Sequence, residues 1–379
     1  MMKGLLAVLL ALGLTGCADL GYYWQSASGH VDLMRASRPV PDWLEDPATS
    51  PALKAKLELT QRIRRFAVTD LGLPDNRSYT GYADLHRTAA VWNVVAAPAY
   101  SLKLKTWCFP VAGCVGYRGY YNDADARAEA DVQRATGLEV AVYPVPAYST
   151  LGWLNWAGGD PLLSTFINYP EGELARLIFH ELAHQTAYAA GDTLFNESFA
   201  TAVERIGGER WLRTQAGEAA RAEYAQFDGR RREFRALTLA TRRKLQAVYD
   251  SPQAKAQDWA AVETMKADAM RGFRADYAAL RAGWPANRQA AYDGWVARAN
   301  NATFGAQAAY DDLVPVFEAL FAREGGDWAR FYAEVKRLAS MSTEERHLAM
   351  VALGGPGGVG SAAMPKSARD PREVALPAQ

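Results

Sequence analysis

Cysteine and histidine are scarce in this chain, three and five among 379 residues, and neither charge sign is in excess, with 42 basic side chains against 42 acidic ones. Each shortage excludes something. Two cysteine pairs are needed for a zinc ribbon, and the chain cannot supply them. Balanced charge with no pole of one sign gives no electrostatic reason to expect a nucleic-acid partner. The longest apolar run, Leu5 to Leu14, is too short to span a bilayer. No internal repeat is present. What remains is ample core material, a hydrophobic fraction of 49%, in a length that suits one large unit or two closely joined ones.

With histidine so rare, a pair at close spacing stands out. His180-Glu181-Leu182-Ala183-His184 is an HExxH inside an apolar-periodic stretch. Residues four apart share a helix face, so both imidazoles can converge on one ion while Glu181 reaches a metal-bound water without being a ligand. Ile178 and Leu182 fall on the opposite side, where the helix packs on a core. A catalytic zinc takes three protein ligands and keeps one position for water. After a short turn, Ala189 to Asp192, a second helical pattern carries Glu197 and Glu204 two turns apart on one face. Glu197 is the first candidate for the third ligand and Glu204 the alternative. Phe199, Val203 and Ile206 point the other way, and Gly207-Gly208 is expected to end the helix.

HELAHQ followed by NESFATAVE resembles the HELxHQ and NEGFA segments of gluzincin metallopeptidases of the aminopeptidase-N type. The resemblance implies that Glu197 is the third zinc ligand, with Asn196 and Glu204 in support; the gap between the two segments is shorter here than in that family. GYYWQ, TWCFPVAGC, AYSTLGW and NNATF extend a broader likeness to bacterial lipoproteins described as predicted aminopeptidases, over roughly residues 17 to 350. Gluzincins pair the substrate backbone with an edge strand beside the metal. By position and by its prolines, Val145 to Trp153 is the candidate, with Tyr148, Ser149 and Thr150 at its centre; an ordinary edge strand is the equal alternative. Gluzincins also place a Tyr or His to donate to the developing oxyanion. Tyr310 holds that place by order along the chain, although a core tyrosine is the simpler account of it. A free amino terminus needs a further carboxylate, for which Glu204 and Asp192 are available.

The N-terminus reads as an export signal. Lys3, the apolar run and Leu14-Thr15-Gly16-Cys17 look like a bacterial lipobox. That likeness implies cleavage before Cys17, acylation there and a periplasm-facing anchor in the cell envelope. With Ala18 rather than Asp after Cys17, the outer membrane is the expected destination; an uncleaved anchor helix is the alternative. Export to an oxidising compartment favours a disulfide between Cys108 and Cys114, closing a small loop.

Along the chain, 51–72 has helical periodicity ended by Gly72, and 79–121 reads as short strands. Residues 123–137 read as a helix and 139–153 as a strand running into a loop. From Pro170 onward the pattern is mostly helical to about Met350. Six arginines between Arg230 and Arg243 suggest a solvated helix face with acidic partners, or a weaker option, contact with anionic lipid. His30 reads as structural. The expected fold is α+β and predominantly helical, a zincin-like core with a small β-region before the HExxH helix and a helical C-terminal half. The expected layout is a signal peptide at 1–16, one unit at 17–350 (divided near 170) and a disordered Gly/Pro/Ala-rich tail at 351–379.

The functional expectation is a Zn²⁺-dependent peptidase, with aminopeptidase action on envelope peptides as the leading reading. A zinc endopeptidase and a non-catalytic lipoprotein with a structural zinc are the rivals. The intact Glu181 argues against the last, since a structural site has no need of it.

Overall fold

The computed structural model describes residues 20–109, 113–147, 149–150, 158–308 and 312–354. Cys17, Tyr148, Tyr310 and residues 355–379 of the expected tail fall outside them, while 351–354, expected to be disordered, continue a helix. Helices dominate, and the strands gather into small sheets, an α+β fold of predominantly helical character.

A helix over residues 20–36 (α1) leads into β1 (Ser37–Pro39), α2 (Val40–Glu45) and α3 (Pro51–Thr69). Helix α3 starts where Ser50 caps the Leu53 amide, with Pro51 pre-set for the first turn. Strands β2 (Gly81–Ala83), β3 (Val91–Ala97), β4 (Trp107–Phe109), β5 (Gly113–Val115) and β6 (Arg118–Tyr120) follow, then α4 (Asp123–Ala135), capped by Asn122. Next come β7 (Glu139–Val145) and β8 (Leu162–Leu163). The sheet order β6-β3-β7 is antiparallel throughout, β2 pairs antiparallel with β1 and parallel with β8, and β4-β5 is a two-stranded ribbon. Cys108 and Cys114 face each other across that ribbon and are joined as a disulfide.

Strand β7 ends at Val145 and gives way to a loop, as the 139–153 pattern of a strand running into a loop expects; residues 151–153 of that stretch lie outside the described residues. Its Pro144 sits on the sheet edge, where no donor is needed. Ser149 and Thr150 lie in the following loop, held by the carboxylate of Asp160: the Thr150 amide donates to Oδ1 at 3.0 Å and the Ser149 hydroxyl approaches Oδ2 at 3.5 Å. A side-chain clamp thus replaces strand pairing at these two residues.

The helical part begins with α5 (Glu171–His184) and α6 (Thr193–Thr214), which pack closely against each other. One face of α5, with Leu174, Ile178, Phe179 and Leu182, is fully buried in the main core with Phe195, Phe199 and Val203 of α6. Gly207 and Gly208 do not end α6; the helix continues to Thr214. They are buried at its crossing with α5. A Cβ at 207 would sit 2.6 Å from Leu71 and 3.1 Å from Phe179, and one at 208 would sit 2.6 Å from Arg176. Close approach, and not termination, is what these glycines supply.

Helix α7 (Glu218–Tyr249) and α8 (Pro252–Lys255) lead to α9 (Trp259–Ala282), which packs on α7 around Phe234, Phe273 and Phe304. Then come α10 (Asp293–Arg298), α11 (Asn301–Ala308), α12 (Val314–Arg323), α13 (Trp328–Ala339) and α14 (Thr343–Gly354). The arginine-rich part of α7 finds acidic partners on other elements, Arg231 with Glu173 at 2.7 Å and Arg242 with Asp312 at 2.8 Å, so it is pinned to the fold as well as solvated. No helix among the described residues is long and apolar enough to cross a membrane.

Candidate metal centre

The turn between α5 and α6 brings the two motifs together. Asn196 closes it: its amide Oδ1 accepts from the Ala189 amide and its Nδ2 donates to the Ala189 carbonyl, both at 2.8 Å. Asn196 therefore shapes the turn instead of touching a ligand. Asp192 caps α6, accepting from the Phe195 amide at 3.0 Å, while its other oxygen takes Arg346 at 2.8 Å and His347 at 3.2 Å. With both oxygens engaged in this way, Asp192 is a helix cap tied to α14, and the expectation that it supports the site as a carboxylate available for a substrate amine is corrected.

His180, His184 and Glu197 converge. The two Nε2 atoms are 3.2 Å apart, Glu197 Oε2 lies 3.3 Å from His180 Nε2 and 3.7 Å from His184 Nε2. A tetrahedral ion with bonds of about 2.0–2.1 Å places its ligand atoms roughly 3.3–3.4 Å from one another. The observed triangle is close to one face of that tetrahedron. Two imidazoles and a carboxylate suit zinc among divalent metals, and among the described residues these three side chains are the group able to hold an ion.

The triangle is supported from behind. His180 Nδ1 meets Glu204 Oε2 at 3.1 Å, and the second Glu204 oxygen pairs with Arg176. Arg176 is buried; it donates to the Tyr224 hydroxyl at 2.9 Å and faces Asp228 at 3.6 Å and Glu173 at 3.8 Å. A carboxylate on the far nitrogen of a metal-binding imidazole fixes its tautomer and orientation. Glu204 stands in that place behind His180, and Glu197 is the carboxylate grouped with the two imidazoles as able to hold an ion.

The charges respond to one another. Burial alone would lower the His180 pKa, but Glu197 and Glu204 outweigh it and hold the ring well above its ordinary range. Burial would raise Glu197; the His184 and His180 rings hold it far below the usual carboxylate value. Glu204, against the same burial, is held down to about 2 by Arg176 and His180. Glu181 is different. Burial raises its carboxyl, the two imidazoles oppose, and Glu197 and Glu204 add to the rise. Of these three carboxyls Glu181 alone is shifted upward, while Glu197 and Glu204 are held down by their cationic neighbours.

Side chains without a motif complete the surroundings. Tyr117, before β6, has a phenol raised by burial and then by the charge of Glu197; Tyr143 on β7, pushed up to about 12, and Tyr188 in the α5–α6 turn also feel Glu197. Tyr143 on β7 and Tyr117 just before β6 are thus brought within electrostatic range of Glu197 by the β6-β3-β7 sheet. At the end of α5, Gln185 accepts from Asn76 at 2.7 Å and donates to Ser78 Oγ at 3.1 Å and Asp160 at 3.3 Å, tying two loops to the HExxH helix. Arg176 was findable in the sequence, as the one cation in the apolar run before His180. The phenols had no such signal, because they come from three separate elements.

A family model described as "Putative aminopeptidase" matches residues 21–350 of the chain. No curated protein matches it, and no solved structure does.

Proposed function

Because the chain belongs to the family described as "Putative aminopeptidase", we propose that it is a zinc-dependent peptidase whose centre is His180, His184 and Glu197, with Glu181 as general base. The observation that carries this reading is the triangle of two imidazoles and one carboxylate, with edges of 3.2, 3.3 and 3.7 Å, and the buried Glu181 carboxyl that follows His180 on its helix. When bound, zinc supplies Lewis acidity and brings the pKa of its water toward neutrality. Glu181 takes the proton of the attacking water and returns it to the leaving amine. Glu204 keeps the His180 ring in register. A phenol donates to the developing oxyanion: Tyr117 is the candidate among the described residues, and Tyr310, outside them, is the other.

Action on free amino termini is the preferred mode, supported by the family description. The substrates are peptides of the bacterial cell envelope, reached by export and acylation at Cys17. The Cys108–Cys114 disulfide supports an oxidising compartment. The test is activity on matched free and N-acetylated peptides before and after chelation. Loss with chelator, return with Zn²⁺ and preference for the free terminus are expected. Peptidase activity that survives stripping of the metal would overturn the zinc mechanism, and cleavage of acetylated peptides alone would make the protein an endopeptidase.

A further inference from the structure

Helix α1 is fixed to the protein by one face and bare on the other. On the packed side Tyr22 stacks on Phe109 with ring centroids 5.5 Å apart and lies under the Arg118 guanidinium at 4.1 Å. Gln25 donates to the Gly119 carbonyl at 3.3 Å and accepts from the Tyr121 amide at 3.1 Å. Gly29 lies so close to the Tyr121 ring that a Cβ there would stand 2.2 Å from it, and Leu33 is buried. On the opposite side Leu20, Trp24, Ala27 and Val31 follow the 4-3-4 spacing of a single helix stripe, and all four are exposed, Leu20 by 71% and Trp24 by 75%.

The sequence says what covers this stripe. Only Ala18 and Asp19 separate Leu20 from the lipobox Cys17. Three virtual bonds reach at most about 11 Å, and the polar layer of a bilayer leaflet is roughly 5–8 Å deep. An acylated Cys17 therefore holds the first turn of α1 at the lipid surface, and α1 is rigidly attached to the β6 region. We propose that the Leu20-Trp24-Ala27-Val31 face lies on the membrane, so that the acyl chains and this stripe together fix how the whole unit is oriented. The inference rests on the lipid-anchor part of the functional reading and not on the zinc mechanism. A tryptophan at the centre of the stripe suits the interfacial layer. The nearby Asp32 and Arg35 offset each other, so the contact is apolar and needs no anionic lipid.

In the mature lipoprotein the Cys17 thiol is acylated and Cys108 is bonded to Cys114, so one introduced cysteine is a unique labelling site. The full chain, processed in a diderm host and reconstituted in phosphatidylcholine vesicles, is labelled with an environment-sensitive fluorophore in Trp24→Cys, Val31→Cys or Asp32→Cys. Labels at 24 and 31 should be quenched several-fold more by nitroxide lipid than by iodide, with the order reversed at 32 and no change on adding phosphatidylglycerol or salt. Equal iodide quenching at all three positions, on protein whose mass shows the acyl chains, would overturn the docking face and leave the anchor standing. Shielding of 24 and 31 from both quenchers would mean that protein covers the stripe, and would overturn it too. A mass without acyl chains would remove the anchor reading and the docking proposal together, leaving the peptidase assay unaffected.

Discussion

Replacing Glu204 by Ala separates two jobs that one side chain performs. Its Oε2 sits 3.1 Å from His180 Nδ1, and its other oxygen pairs with buried Arg176. Loss of a carboxylate behind a metal-binding imidazole typically costs about 10–100-fold in metal affinity, or ~1.4–2.7 kcal/mol. Removing one partner of a buried ion pair costs ~3–5 kcal/mol when the other charge is left uncompensated. Arg176 keeps Asp228 at 3.6 Å and Glu173 at 3.8 Å, so the loss should be smaller. About 2–3 kcal/mol is expected. With an unfolding entropy of roughly 0.7 kcal/mol/K for a unit of this size, the metal-free Tm should fall by about 3–4 °C. Zinc affinity from competition with a chelator and thermal melting of the stripped protein read the two effects separately. Glu204→Gln, which keeps an oxygen for His180 and loses the charge facing Arg176, should retain most of the affinity while still melting lower. If Glu204→Ala lowers the Tm and leaves zinc affinity at the parental value, Glu204 is merely the counter-ion of Arg176, and the support assigned to His180 is wrong.

Further changes probe the rest of the site. Glu181→Gln should keep stoichiometric zinc and lose at least about 10²–10⁴-fold in turnover, whereas Glu197→Ala should lose the metal itself; both are read by metal analysis beside a peptidase assay. Asp160 is buried, and burial raises its carboxyl from 3.8 to about 6. The folded chain then holds a proton that the unfolded chain has released, so stability should fall by about 2–3 kcal/mol as pH rises from ~4 to ~6. Asp160→Asn should flatten that slope in denaturant titrations, and an unchanged slope would place the titration elsewhere. Gly207→Ala gains roughly 1 kcal/mol of helix propensity but meets Leu71 and Phe179. A net loss of ~1–2 kcal/mol is expected from overpacking, and a variant more stable than the parent would show that the crossing has slack.

The two site helices were readable because their signals are local. The HExxH spacing and the apolar face around Ile178 and Leu182 mark α5, and Asn196-Glu197 lies in the first turns of α6. Ser50-Pro51 and Asn122 mark helix starts by side-chain chemistry that acts within three residues. What could not be read depends on partners distant in the chain. Gly207 and Gly208 look like a helix end until Arg176, Phe179 and Leu71 are seen against them. Asp192 looked free for a substrate amine, and its partner is 154 residues downstream. The point at which β7 gives way to the loop was equally hidden, since the Thr150 amide goes to Asp160, ten residues on. Tyr117 and Tyr143 near Glu197 follow from sheet pairing, which no periodicity announces.

The pairing of Arg346 with Asp192 has a consequence for when the protein becomes competent. Arg346 is 2% exposed and secures the first turn of the helix that carries Glu197 and Glu204. Both helices that carry the His180, His184 and Glu197 cluster are synthesised long before this arginine. Until Arg346 docks, the Asp192 cap is only half engaged and Glu197 lacks a fixed seat. The cluster is therefore assembled late in folding, by a side chain from the last described helix.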